Sequence, residues 1–348
     1  MGQKAMHGGD IYRNPVRLDF SVNVNPLGIP EGVIQALIHA AQRVQEYPDM
    51  EAAELIGKLS ERLSVPEETI LLGNGASELL MAVVHALKPS KIVLPVPSFY
   101  GYRHVAKAAG SAIVPYPLRR ENGFGMDEDL FALLRRERPE LLILTNPNNP
   151  TGVLTSGEYL QKLLETCKAT DTRMLLDECF MEFCGESCSM LEEAASSDRL
   201  MVLRAFTKIY AIPGVRLGYL ICGNEGLRTK IREQLPEWNV STLAQEAGMA
   251  CLTEETKDYL IRTVQYTEQE RQFLEGTLQE IGLAVFHGNA NFILFYSEQE
   301  LYDKLLKKGI LIRDCSDYEG LCKGYYRIAV KRHEENLQLL NAIKESLT

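Results

Sequence analysis

No stretch of this chain approaches the roughly 18 consecutive apolar residues that a membrane-spanning helix needs. The N-terminal MGQKAMHGGDIYRNP lacks the apolar centre of a signal peptide. There is no biased tract and no internal repeat. Positive charge is in deficit: 37 Lys and Arg face 47 Asp and Glu, a net charge of −10. That balance argues against non-specific nucleic-acid binding, because neutralising phosphates takes a basic surface. An acidic chain holds an anionic ligand only with a focused local cluster. Zinc-type spacing is also missing: Cys179, Cys184 and Cys188 fall close together, but at spacings that fit no template and with no histidine nearby. No metal is expected. The eight cysteines lie mostly in apolar segments such as Leu220-Ile221-Cys222, which suits small buried hydrophobes in a reducing cytoplasm.

What is present is an ordinary globular composition, 45% hydrophobic and 24% charged. At 348 residues the chain is long for one core, so a large and a small domain are expected. Residues 31–63 read as two helices interrupted at Tyr47-Pro48-Asp49. Short apolar runs then alternate with helical patterns: 70–72, 92–94, 113–116, 141–145, 174–176 and 201–203 as strands, with helices between them. This order predicts crossover units, hence an α/β fold with a mostly parallel sheet flanked by helices. After about Pro236 a long charged helix over 254–281 and apolar runs at 291–295 and 325–330 predict a small α+β domain. The expected division is an N-terminal arm over 1–28 that joins the small domain, a large domain over 29–236, and a small one over 237–348.

In an open parallel sheet, ligands bind beyond the carboxyl ends of the strands, and that is where the chemistry-bearing residues fall. Thr207-Lys208 follows the strand at 201–203, with Arg216 eight residues after the lysine. An amine held among apolar neighbours has a lowered pKa and is a free nucleophile near neutrality; Thr207 and Arg216 suit a phosphate. Gly73-Asn74-Gly75-Ala76-Ser77 joins a strand to a helix, whose free N–H groups complete an anion cup at Gly75, Ala76 and Ser77. Asp177 ends another strand, where it can cap a turn or pair with a protonated ring nitrogen. Asn149 lies in the proline-held loop Asn146-Pro147-Asn148-Asn149-Pro150-Thr151-Gly152 and offers an amide. Phe99, in Pro97-Ser98-Phe99-Tyr100-Gly101-Tyr102, can stack on a ring or serve as core.

Taken together, Gly-Asn-Gly-Ala-Ser-Glu, Asn-Pro-Asn-Asn-Pro-Thr-Gly, Asp-Glu-Cys-Phe and Thr-Lys with Pro-Gly-Val-Arg-Leu-Gly resemble the class I/II aminotransferase superfamily of pyridoxal 5'-phosphate (PLP) enzymes, of fold type I. The resemblance covers essentially the whole chain. It implies a homodimer with PLP bound covalently at Lys208, Asp177 at the pyridine nitrogen, Asn149 at the phenolate oxygen and Phe99 on the ring. Ala76, Ser77, Thr207 and Arg216 would hold the phosphate. Arg327, in Tyr-Tyr-Arg-Ile-Ala-Val, matches an arginine that grips the substrate's carboxylate or phosphate.

Histidinol-phosphate aminotransferases share these motifs. The N-terminal His7-Gly8-Gly9-Asp10 and Asp19-Phe20-Ser21-Val22-Asn23-Val24-Asn25-Pro26-Leu27-Gly28 look closer to L-threonine-O-3-phosphate decarboxylases of cobalamin synthesis. Phe180 points the same way, since aminotransferases usually place a phenolate-bonding tyrosine there and the decarboxylase subgroup tolerates phenylalanine. Expected substrate residues are His7, Asn25, Arg313 and Arg327, for a phosphorylated amino acid. The expected reaction is decarboxylation to aminopropanol phosphate, with amino transfer to 2-oxoglutarate as the alternative.

Overall fold

The computed structural model describes residues 8–347; His7 lies outside them. Thirteen strands occur in chain order among these residues: β1 Leu18–Asp19, β2 Ile70–Gly73, β3 Lys91–Val96, β4 Ala112–Pro117, β5 Leu141–Thr145, β6 Arg173–Asp177, β7 Leu200–Ala205, β8 Gly218–Cys222, β9 Ala284–Phe286, β10 Phe292–Tyr296, β11 Ile310–Leu311, β12 Arg313–Asp314 and β13 Tyr325–Ala329.

The main sheet has the order β2-β8-β7-β6-β5-β3-β4. Its strands are parallel except β8, which runs antiparallel to both neighbours. These short Leu/Ile/Val-rich runs are buried on both faces, as the alternation in β5 shows. Leu142 and Leu144 pack into one core, while Leu141 and Ile143 pack into the other. Lys91–Val96 and Leu141–Thr145 are accordingly almost wholly inaccessible.

A second, antiparallel sheet of order β12-β13-β10-β9 buries Ile293, Phe295 and Ile328 with Leu339 and Ile343 of the helix His333–Leu347. The chain's start is tied to this layer. β1 pairs with β11, the Phe20 N–H donates to the Leu311 carbonyl at 2.7 Å, and the Ala329 N–H donates to the Phe20 carbonyl at 2.8 Å.

Past the expected change of domain at 236, the next helix still packs beside the main sheet. Helix Thr242–Ala250 packs against Glu31–Ala40 and Ala53–Leu63, with Ala244, Ala247 and Cys251 in the core beside the main sheet. The crossing to the small sheet is made along helix Glu254–Glu280. No helix among the described residues is long and apolar enough to cross a membrane.

Candidate active site

The carboxyl ends of the parallel strands open into a cavity of about 280 Å³ that both sheets line. Lys208 enters it from the short helix Phe206–Ile209, directly after β7. Burial, with help from Arg327 and Arg216, pushes its amine down to about 8. Near neutral pH it therefore keeps a far larger uncharged share than an ordinary lysine, about a tenth at pH 7, as a nucleophilic amine requires.

The reversed direction of β8 builds the anion cup. Gly218, the first residue of β8, stands in register with Gly73 of β2 and Ala205 of β7. Arg216 therefore arrives at the same edge as the Gly73–Gly75 turn and Thr207. The fit is close. A Cβ on Gly218 would lie 2.6 Å from the Ala76 nitrogen, and one on Gly75 would lie 2.4 Å from an Arg216 terminal nitrogen. Gly75 also has φ +75°, a conformation that only glycine takes without strain. Helix Ala76–Leu87 begins here with no side-chain cap, and Ala76 and Ser77 line the cavity with Thr207 and Arg216. Free helix N–H groups, a hydroxyl and a guanidinium make a phosphate site.

Asp177, at the end of β6, is buried in the cavity wall. Its Oδ2 accepts from the Tyr102 hydroxyl at 2.6 Å, and its Oδ1 accepts from the Cys179 N–H at 3.0 Å. Burial raises its pKa, and these hydrogen bonds work against the rise. Tyr102 also meets the Thr145 hydroxyl at 2.6 Å, on the neighbouring strand end. Phe99 lines the same wall and meets Tyr102 edge-on, with ring centroids 5.6 Å apart.

Asn149 faces Arg327, whose Nη1 donates to its Oδ1; its amide nitrogen is thereby the end left for an acceptor in the cavity. The Arg327 Nη2 donates to the Ser21 carbonyl at 2.9 Å. Arg313 completes this side, directly opposite Arg327 in the β12–β13 pair. Among the described lining residues, Lys208, Arg216, Arg313 and Arg327 face a single carboxylate, Asp177. This is the focused cationic cluster that an acidic chain needs.

Of the residues singled out in the sequence, Ala76, Ser77, Phe99, Asn149, Asp177, Thr207, Lys208, Arg216, Arg313 and Arg327 line one cavity, and Gly75 abuts it through Arg216. Asn25 does not. Its amide donates to the Ile209 carbonyl at 2.7 Å and to the Thr263 hydroxyl at 2.8 Å, and its Oδ1 accepts from the Leu27 N–H. Asn25 thus locks the lysine-bearing turn to the long helix, and both of its amide hydrogens are used there. Asn23 is the residue in the cavity, with a buried Oδ1 that has no hydrogen-bond partner. Tyr102 and Tyr318 are further lining residues that the sequence did not single out.

This geometry has close relatives. The sequence pattern of the family "Aminotransferase class I and II" matches residues 16–343, and the chain belongs to that family. It is 35% identical to the threonine-phosphate decarboxylase of Salmonella typhimurium, over 98% of this chain and 96% of that protein. The histidinol-phosphate aminotransferase from Clostridium acetobutylicum superposes with a TM-score of 0.87 at 31% identity, over 94% of this chain and 98% of its own. That from Sinorhizobium meliloti, solved in complex with pyridoxal-5'-phosphate, superposes with a TM-score of 0.86 at 22% identity, over 100% of this chain and 95% of its own; at that identity it speaks for the fold alone.

Proposed function

We propose that this chain is a PLP-dependent decarboxylase that converts O-phospho-L-threonine to aminopropanol phosphate and CO2. Near-full-length likeness to the Salmonella decarboxylase carries the assignment. The cavity's chemistry supports it.

The residues present fit the cofactor. Lys208 would hold its aldehyde carbon, and the cup of Gly75, Ala76, Ser77, Thr207 and Arg216 its phosphate. Asp177 would face the ring nitrogen, Asn149 the phenolate oxygen and Phe99 the ring face. When bound, PLP supplies a sink for the electron pair left at the substrate Cα. A charged Asp177 favours that sink by keeping a proton on the facing nitrogen, and Tyr102 helps keep Asp177 charged.

On the opposite wall, Arg313, Arg327 and the open acceptor of Asn23 suit a ligand that carries two anionic groups and a protonated donor. Their task is orientation. Arg313 and Arg327 would hold the carboxylate so that its bond to Cα is the one lost as CO2, a proton taking its place at Cα. The amine of Lys208, in the same cavity, is the group we assign to deliver that proton. Phe180, packed edge-on against Phe292 at 5.0 Å, offers no hydroxyl to the phenolate oxygen, so Asn149 is the side chain assigned to it.

The working form is assigned as a cytoplasmic homodimer. Ile38, Val44, Tyr47, Met50 and Trp238 are exposed apolar side chains, and Tyr47 lies against Trp238 with ring centroids 4.9 Å apart. Such a surface suits a second copy of the chain.

The substrate assignment is checked by incubating the holoenzyme with O-phospho-L-threonine and, separately, with histidinol phosphate plus 2-oxoglutarate. Aminopropanol phosphate should form in the first mixture and glutamate should not form in the second. The reverse pattern makes the chain an aminotransferase.

A further inference from the structure

After β12 the residues up to Leu321 leave the small sheet and reach the large one near Pro97. The Arg313 Nη2 donates to both carboxylate oxygens of Asp317 at 2.8 Å, and its Nη1 donates to the Asp314 carbonyl at 2.6 Å. Tyr318 lies beneath the same guanidinium, 5.1 Å from its ring centroid. Arg313 and Tyr318 line the main cavity, but Asp317 does not. Asp317 instead lines an adjoining hollow of about 90 Å³ with Arg103 and Glu319, and Phe99, Arg313 and Tyr318 form the wall between the two. The carboxylate therefore grips Arg313 from behind, outside the space that a substrate would fill.

Two further contacts fasten this strap. Glu319 forms an ion pair with Arg103 of helix Tyr100–Ala108, the helix that Phe99 precedes. Gly320, at φ +88°, lies beside the Pro97 backbone, where a Cβ would be in van der Waals contact with the Pro97 nitrogen at 3.4 Å. The strap is thus fixed to the turn that presents Phe99 to the cavity.

We propose that Asp317 is a positioning residue that aims Arg313 at the substrate's phosphate or carboxylate, through a strap whose anchor on Arg103 fixes that guanidinium relative to Phe99. It depends on the assignment above of Arg313 as an anion ligand. The physical need is plain: Arg313 and Arg327 are like charges on directly opposed positions, an arrangement that drives them apart. A carboxylate behind one of them supplies the countercharge without occupying the site, and the two hydrogen bonds fix the guanidinium's direction.

The test measures KM and kcat of the holoenzyme with O-phospho-L-threonine, and inhibition by inorganic phosphate, in four variants. Asp317→Ala should raise KM and the phosphate inhibition constant by about 10-fold, the size of one charge-assisted hydrogen bond, with kcat changed by less than about 2-fold. Asp317→Asn, whose Oδ1 still accepts from Nη2 but which carries no charge, should recover only part of the loss. Arg103→Ala, which frees the far end of the strap, should raise KM by about 3-fold. An unchanged or lowered KM in Asp317→Ala, or a loss confined to kcat, overturns the positioning role. Arg313→Gln separates the two ideas. If it raises KM while Asp317→Ala is silent, only the positioning role fails; if Arg313→Gln itself leaves KM unchanged, the assignment of Arg313 fails and takes the positioning role with it.

Discussion

Arg313 and Arg327 stand directly opposite each other across the β12–β13 pair, and both line the cavity. Opposed like charges destabilise a sheet unless something neutralises them. Asp317 neutralises the first, while the second leans on the Asn149 Oδ1 and the Ser21 carbonyl. A doubly anionic substrate relieves both. Arg327→Gln is expected to raise KM for O-phospho-L-threonine by roughly 30-fold or more, as befits a charge-assisted contact in a dry site. Steady-state kinetics checks this, and an unchanged KM removes Arg327 from the substrate site.

Tyr102 sets the state of Asp177. Removing its hydroxyl takes away a hydrogen bond that favours the carboxylate, so burial raises the Asp177 pKa further and weakens its partnership with a protonated ring nitrogen. Tyr102→Phe is expected to weaken PLP binding by about 10-fold, measured by absorbance titration of the apo-protein. Affinity equal to that of the parent protein would show that Asp177 needs no such support.

The amine of Lys208 is held down to about 8 by burial and by Arg327 and Arg216. Its neutral form grows as pH rises, so capture of PLP into a borohydride-trappable adduct should accelerate through about pH 8, well below the ordinary lysine value of about 10.4. Lys208→Ala should trap nothing at this site. Stability follows the same sign. The folded pKa lies below the unfolded one, so the cost of this amine is complete below pH 8 and is relieved between about 8 and 10.4, where only the unfolded chain holds the proton. A trapping profile centred near 10 would contradict the assigned environment.

Gly75 tests the anion cup. Alanine there would need φ +75° and would drive its Cβ against Arg216. The side chain has to give way, which removes the guanidinium from the phosphate. Gly75→Ala is expected to weaken PLP binding by roughly 10- to 100-fold while leaving the thermal unfolding midpoint of the apo-protein lower by only a few degrees, about what a strained backbone position costs. Binding equal to the parent protein's would mean that the cup lies elsewhere.

Part of the candidate site was legible because a short apolar strand ends abruptly at or just before two of its members. Asp177 after Met174-Leu175-Leu176, and Thr207-Lys208 after the run at 201–203, announce themselves by that break. The antiparallel β8 was not legible, since Gly-Tyr-Leu-Ile-Cys reads as any buried strand and its direction is a matter of pairing. Asn23 and Asn25 sit two apart in one alternating segment, and only their tertiary partners separate them. Asn25 is consumed by Ile209 and Thr263, distant in sequence, whereas Asn23 keeps an open acceptor in the cavity. Tyr102 was hidden for a similar reason: three residues after Phe99 on a helix it reads as core, and its hydroxyl gains meaning only when Thr145 and Asp177 arrive side by side on β5 and β6.

The central claim concerns which bond at Cα is broken. Holoenzyme given O-phospho-L-threonine labelled in its carboxyl carbon should release labelled CO2 without any keto acid, at a rate that added 2-oxoglutarate does not change. Retention of the label, with amino transfer to 2-oxoglutarate at a rate set by the keto acid, would contradict it.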